Sequence, residues 1–279
     1  MNQPAINPSL TLNDGSTIPQ LGLGTWQAPE EEAAAAVAAA LKAGYRLIDT
    51  AAIYGNEAAV GQGLRQAEVA REQIFVTTKL WNDAQGYDEA LRAFDDSLKR
   101  LQLDTVDLYL IHWPAPHKDR YVDSWRALVR LKEEKRVRAI GVSNFQIPHL
   151  ERIIEETGVT PAVNQIELHP DFQQKALQAF HAAHGILTQS WSPLGQGALL
   201  HNETILRIAA RHGKSAAQTI IRWHLDNGLL VIPKSVHARR IVENFSVFDF
   251  ILDPDELAHL AALDDAKHRI GPHPDTAKF

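Results

Sequence analysis

Three stretches decide the architecture: Arg46-Leu47-Ile48-Asp49, Ile74-Phe75-Val76-Thr77-Thr78-Lys79 and Val106-Asp107-Leu108-Tyr109-Leu110-Ile111-His112. Each is a short, largely apolar run of the kind that forms a strand buried on both faces. Each also ends on a charged or titratable side chain, and such groups rarely finish buried strands unless they are paired or at work. A carboxyl, an ammonium and an imidazole stand in matching places, and the phenol of Tyr54 follows five residues after Asp49. Together they point to one shared pocket.

The alternation continues on both sides of these runs. Residues 9–12 and 17–18 flank Asn13-Asp14-Gly15-Ser16 as a short hairpin with a glycine-assisted turn. Residues 21–26 read as a strand, and Pro29 with Glu30, Glu31 and Glu32 opens an alanine-rich helix that stops at Ala43-Gly44. Strands over 46–50, 74–81, 106–113, 137–142, 162–167, 186–191 and 229–233 follow. Between them the spacing predicts helices over 57–66, 87–101, 122–135, 148–157 and 174–184. One or two more lie within 203–226, then 237–245 and a terminal helix near 255–263.

Strands alternating with helices imply a parallel sheet of right-handed crossovers. Eight such units predict an α/β fold of the (β/α)8 TIM-barrel type, with an N-terminal β-hairpin and a short C-terminal tail. The active site of a barrel lies at the C-terminal ends of its strands. An open doubly wound sheet is the alternative, but its G-x-G-x-x-G turn fails here: Gly22-Leu23-Gly24 is followed by Gln27 where the third glycine belongs. No linker or low-complexity tract divides the chain, so residues 1–279 are expected to form a single domain.

Composition narrows the function. A net charge of −6, with no lysine/arginine cluster to offset it, argues against nucleic acid as the main partner. The 45% hydrophobic and 22% charged content is that of a soluble globular protein. The chain has no cysteine, which excludes disulfides and thiolate metal sites and fits a reducing compartment. Residues 1–8 lack the basic start and apolar core of a signal peptide, and no apolar run approaches the roughly 18 residues of a transmembrane helix. The expectation is a cytoplasmic protein without membrane contact.

Strand parity sharpens the pocket. Side chains at i and i+2 share a face, so Lys79 lies with Thr77 and Trp81, and His112 with Leu108 and Leu110. Tyr54 sits on a short Ile53-Tyr54-Gly55-Asn56 loop able to fold over the mouth. A lysine ammonium beside a phenol favours phenolate and is expected to lower the tyrosine pKa from its usual value near 10. Asp49 would hold Lys79 in place, and a neutral His112 could donate to a carbonyl oxygen. The set suits stabilising and protonating an oxyanion formed from a carbonyl. It holds no obvious nucleophilic serine or cysteine, so a reduced nicotinamide is the natural electron source.

Several longer segments carry a family resemblance. They are Gly44-Tyr45-Arg46-Leu47-Ile48-Asp49-Thr50-Ala51 with Tyr54-Gly55-Asn56-Glu57; Val76-Thr77-Thr78-Lys79-Leu80-Trp81; Asp107-Leu108-Tyr109-Leu110-Ile111-His112-Trp113-Pro114; Ile140-Gly141-Val142-Ser143-Asn144-Phe145; Asn164-Gln165-Ile166-Glu167; and Ile232-Pro233-Lys234-Ser235. Through these six ordered motifs the chain resembles the aldo-keto reductase superfamily over essentially its whole length. Within it the chain is most similar to bacterial 2,5-diketo-gluconate reductases, through residues 162–170 and Ser192-Pro193-Leu194-Gly195-Gln196-Gly197.

The resemblance implies that Asp49, Tyr54, Lys79 and His112 form a catalytic tetrad, with Tyr54 as general acid in reduction. It implies that Ser143, Asn144 and Gln165 bind the nicotinamide carboxamide and that Trp191 stacks on its ring. Ser192, Leu194 and Gln196 would lie over the pyrophosphate. Lys234, Ser235 and Arg240 would hold an adenosine 2′-phosphate, with Glu243 and Asn244 at the adenine. A cation pair beside a hydroxyl suits a dianionic phosphate, so NADPH is the expected cofactor. Trp26, Trp81 and Trp113 would line a pocket for small aldehydes and ketones, keto-sugars such as 2,5-diketo-gluconate or dicarbonyls such as methylglyoxal. The family implies a monomer.

Plainer readings compete. Asp49 and Lys79 could be a structural ion pair, Trp81 and Trp113 core packing, and Ser143-Asn144 a cap for the following helix. His181 and His184 share a helix but have no carboxylate cluster beside them, so they are read as surface residues and no metal site is expected. Two other functions remain. One is a Schiff-base lyase through Lys79, and the other a non-catalytic NADPH-binding regulatory protein.

Overall fold

A computed structural model describes residues 7–279. The expectation of no signal peptide falls largely on residues 1–6, which lie outside the described residues. The chain opens with an antiparallel hairpin of β1 (Ser9–Thr11) and β2 (Thr17–Pro19), pairing Leu10 with Ile18. Gly15 takes φ +83° in its turn.

Eight parallel strands follow in sequence order around one sheet: β3 (Leu23–Gly24), β4 (Leu47–Asp49), β5 (Phe75–Leu80), β6 (Val106–Ile111), β7 (Val137–Ser143), β8 (Val163–Glu167), β9 (Leu187–Trp191) and β10 (Leu230–Val231). The sheet closes on itself. Val231 N–H donates to Gln20 O, Gly22 N–H to Val231 O and Gly24 N–H to Pro233 O, at 2.9–3.1 Å. The fold is therefore the expected (β/α)8 barrel.

The helices are α1 (Glu30–Ala43), α2 (Glu57–Gln66), α3 (Tyr87–Leu101), α4 (Tyr121–Glu133), α5 (Ile147–Thr157), α6 (Lys175–His184), α7 (Glu203–His212), α8 (Ala216–Asp226), α9 (Ala238–Phe245) and α10 (Pro254–Ala261). None is long and apolar enough to cross a membrane. The expected boundaries hold to within a residue or two, and their details have physical reasons. The first and last strands are shorter than expected because they only bridge the closure, and Pro233 has no N–H to extend the ladder. Pro29 sits at the N-cap of α1, one position before the helix. The region 203–226 is two helices, broken at Gly213 (φ +63°) and restarted by the Ser215–Gln218 capping box. At the end of α1, Gly44 takes φ +113°, and a Cβ there would stand 2.7 Å from the Phe245 ring.

Two apolar layers hold the barrel. One lies between strands and helices, around Val76, Tyr109, Val142 and Trp125. The other fills the lower interior with Leu47, Phe75, Leu108, Leu110, Val163 and Leu230, plugged from below by Leu12 and Ile18 of the hairpin. Interior parity then carries the same strand faces upward to Asp49, Lys79, His112 and Gln165.

His181 corrects the sequence reading. It is buried on α6, with Nε2 2.9 Å from Asn164 Nδ2 and Nδ1 2.8 Å from Thr188 Oγ1. Burial, helped by the charge of His184, pushes its pKa down to about 4. Only His184 is exposed, because the helix turns one histidine inward and the other out. Among the described residues no cluster of metal-ligating side chains occurs.

Candidate active site

The upper interior brings all four converging residues together. Asp49 ends β4, and its neighbour Thr77 on β5 shares its register. Two residues on, Lys79 is fully buried and donates to Asp49 Oδ1 at 2.5 Å, to Thr50 O at 2.8 Å and to Tyr54 Oη at 3.4 Å. Tyr54 lies on the short 3-10 turn Ala52–Tyr54, closed by Gly55 at φ +69°. Its ring centroid is 5.6 Å from that of His112, edge-on, and the His112 ring is 5.2 Å from Trp81.

Burial sets the protonation states. It pushes the Asp49 carboxyl up against the opposing pull of Lys79 and Gln165, and pushes the Lys79 ammonium down against the pull of Asp49. Burial and the Lys79 charge hold His112 well below its ordinary 6.5, so the imidazole is neutral at neutral pH. For Tyr54 the sequence expectation is overturned. Burial, and then the Asp49 charge, raise its pKa well above 10. Lys79 is itself countered by Asp49 at 2.5 Å, so the phenol meets a nearly balanced pair and desolvation wins. Tyr54 therefore keeps its proton at neutral pH.

Beside this group, Ser143 and Gln165 are register partners on β7 and β8. Ser143 Oγ donates to Gln165 O at 2.7 Å. Gln165 Nε2 donates to both Asp49 Oδ2 and Gln189 Oε1, at 2.7 Å each. Asn144 does not cap α5, whose capping box is formed by Gln146 and His149. Instead its Nδ2 donates to His112 O at 3.0 Å, and its Oδ1 accepts from Trp191 Nε1 at 2.8 Å. Asn144, Ser192 and Gln196 all take left-handed φ (63°, 48° and 51°). Such strain in non-glycine residues gathers at working loops.

A groove of about 720 Å³ lies between the loop after β9, α7 and α9. Six sequence-predicted residues line it: Leu194, Lys234, Ser235, Arg240, Glu243 and Asn244. Among the described residues neither Lys234 nor Arg240 has an acidic partner, unlike most basic side chains here. Unpaired cations beside Ser235 form a donor set that fits a phosphate dianion. Ser192 and Gln196 flank Leu194 in the chain but do not line the groove.

The three tryptophans divide. Trp81 and Trp113 stand at the mouth, and both meet the ring of the C-terminal Phe279, at 5.8 and 5.1 Å between centroids. Trp26 is 42% exposed after β3 and stacks on neither. Sequence reading missed Phe279, since nothing in a terminal residue announces where a tail returns. It also missed Gln189 and Glu167, although interior parity from Gln165 and Trp191 reaches both.

Residues 20–265 match the aldo/keto reductase family, and the chain belongs to that family. It is 54% identical over 272 residues to an aldo-keto reductase of Mycobacterium sp. (strain JLS), covering 98% of each chain. It is also 55% identical over 272 residues to methylglyoxal reductase DkgA of Escherichia coli (strain K12), covering 96% of this chain and 98% of that one. Among solved structures, a mutant of Gox0644 in complex with NADPH superposes with a TM-score of 0.95 at 52% identity, covering 98% of this chain and 99% of that one.

Proposed function

We propose that this protein is an NADPH-dependent reductase of small aldehydes and ketones, dicarbonyls such as methylglyoxal and keto-sugars such as 2,5-diketo-gluconate, with Tyr54 as the proton donor. The observation that carries the reading is the convergence of the Tyr54 phenol, the Lys79–Asp49 pair and the neutral His112 ring at one mouth. The family membership and the NADPH bound to the Gox0644 mutant support it.

Bound along the groove, NADPH supplies the hydride. Lys234, Ser235 and Arg240 hold its 2′-phosphate, Glu243 and Asn244 its adenine, and the loop carrying Ser192, Leu194 and Gln196 covers its pyrophosphate. Ser143, Asn144 and Gln165 take the carboxamide, and Trp191 offers its indole to the nicotinamide ring. His112 donates a hydrogen bond to the substrate carbonyl and orients it. As negative charge develops on that oxygen, Tyr54 Oη delivers its proton there. Lys79 stabilises the phenolate left behind, and Asp49 keeps Lys79 in place. Trp81 and Trp113 close the pocket around a small substrate, with Trp26 at its rim.

The Schiff-base alternative is disfavoured because Lys79 Nζ is fully buried and already donates to Asp49, Thr50 O and Tyr54. A regulatory subunit would have no need to keep a buried ion pair beneath a phenol. We read residues 1–279 as one barrel domain acting as a cytoplasmic monomer, which the absence of cysteine suits. The test is NADPH consumption by the native protein across a panel of aldehydes, dicarbonyls and keto-sugars, run beside borohydride trapping. Turnover without trapped lysine supports reduction. Binding of NADPH with no turnover on any carbonyl, or substrate fixed to Lys79, refutes it.

A further inference from the structure

Glu167 ends the interior face of β8 that begins with Val163 and Gln165, yet it plays no part in the chemistry above. It is 1% exposed, and its carboxylate faces the C-terminal tail. Oε1 accepts from Ile270 N–H at 2.6 Å and Oε2 from Gly271 N–H at 2.8 Å, so two successive backbone groups are clamped by one carboxylate. The clamp is itself braced. His169 Nε2 lies 3.0 Å from Glu167 Oε1, and His169 Nδ1 lies 2.5 Å from Asp171 Oδ1. Asp171 also reaches the tail, through His268 Nδ1 at 3.2 Å and through its carbonyl, which accepts from Asp265 N–H at 2.9 Å. Burial pushes the Glu167 carboxyl up, but His169 and the two tail N–H groups together hold it below its usual value.

The clamped backbone lies directly against Trp191. A Cβ added to Gly271 would stand 2.6 Å from Trp191 Cη2 and 3.0 Å from Glu167 Oε2. Gly271 is not among the residues with left-handed φ, so the backbone demands no glycine there. Space does. The indole is thus held at its Nε1 end by Asn144 and at its six-membered ring by the tail.

We propose that Glu167 is a positioning residue for the cofactor: by clamping Ile270 and Gly271 it seats the tail against Trp191 and fixes the indole on which the nicotinamide stacks. The inference rests on the assignment of Trp191 to the nicotinamide made above. It makes the tail, which ends with Phe279 on Trp81 and Trp113, part of the cofactor site as well as of the substrate wall.

The experiment titrates NADPH and NADH in parallel into the full-length native protein, Trp191→Ala, Glu167→Gln, Gly271→Ala and the Gly271→Ala/Trp191→Ala double variant, with Tm recorded for each. Trp191→Ala is expected to weaken both cofactors alike. Glu167→Gln and Gly271→Ala should each weaken both by the same factor, roughly 3- to 10-fold, the size of a lost aromatic stacking contact. Gly271→Ala, whose methyl must displace the indole, should lower Tm in the Trp191 background but not in Trp191→Ala. It should weaken both cofactors at temperatures where it is fully folded, which a merely structural tail would not produce. It should add nothing in the Trp191→Ala background, because the two act through one ring. If Glu167→Gln proves unstable, Gly271→Ala decides. Native affinity for both cofactors in Gly271→Ala, or a loss that persists undiminished without Trp191, overturns the inference while leaving the cofactor site intact. No effect of Trp191→Ala itself removes the stacking assignment and the inference with it.

Discussion

The barrel carries a buried acid paired with a base at each end, and the two pairs behave differently. At the N-terminal end of β6, Asp107 is 4% exposed, but its partners Arg71 and Arg138 are 29% and 53% exposed. Its second task is to accept Val76 N–H at 2.9 Å. At the C-terminal end, Lys79 and Asp49 are almost wholly buried, at 0% and 2% side-chain exposure. The first pair is solvated on its basic side and ties strands to one another. The second has lost its water, and burial pushes both members towards neutrality. Charge held where it destabilises the fold is a pattern typical of working sites, and it favours this end for the proposed chemistry.

The largest effect expected from this contrast is on Lys79. Lys79→Met leaves Asp49 buried without its ammonium and should cost about 3–5 kcal/mol of stability, together with most of the turnover. Arg71→Ala at the other end should cost about 1 kcal/mol or less and spare kcat, because Arg138 remains and solvent screens the site. Thermal unfolding and steady-state rates on the two variants compare them directly, and equal losses would erase the distinction.

A packing variant separates the ends in the opposite sense. Leu108 lies in the apolar lower interior on the same strand face as His112. Leu108→Ala should destabilise by about 2–5 kcal/mol, with kcat preserved in the protein that remains folded. Farther out, Arg240→Ala should weaken NADPH roughly tenfold or more through loss of a charge-assisted phosphate contact, and leave NADH binding nearly unchanged. Isothermal titration with both cofactors checks it. An equal loss for both would remove Arg240 from the phosphate.

The smallest expected effect is on the pH profile. The Tyr54 pKa is raised above 10, so its donating form is present throughout the neutral range and is lost only at higher pH. The His112 pKa is depressed, so its neutral form is present above the ordinary 6.5 and is lost only well below it. Neither Tyr54 nor His112 should therefore put a limb in the kcat profile for reduction between about pH 6.5 and 9, and Lys79→Met shows whether any limb there belongs to the buried ion pair. A limb that persists in that variant would place Tyr54 or His112 in the wrong microenvironment.

The sequence disclosed the architecture because strand and helix periods alternate cleanly and several strands reach a polar residue at or just beyond their C-terminal ends. It disclosed the converging four because parity along Phe75–Leu80 and Val106–Ile111 aims Lys79 and His112 the same way. The same rule would have reached Gln189 and Glu167. It did not say what they touch, because their partners are Gln165 on a neighbouring strand and a tail 103 residues away in sequence. The sign of the Tyr54 shift was also out of reach. It depends on how far Asp49 cancels Lys79 and how deeply the phenol is buried, which are three-dimensional quantities. His181 misled for a simpler reason: two histidines three residues apart on α6 look alike until Asn164 and Thr188 are seen beneath one of them.

The proposed reaction depends most on Tyr54 as its proton donor. Its most direct test is the kcat for methylglyoxal reduction in Tyr54→Phe, with NADPH affinity measured on the same preparation. A fall of roughly 10²- to 10⁴-fold in kcat at native NADPH affinity is the predicted result. Near-native turnover in Tyr54→Phe would move the proton donor elsewhere.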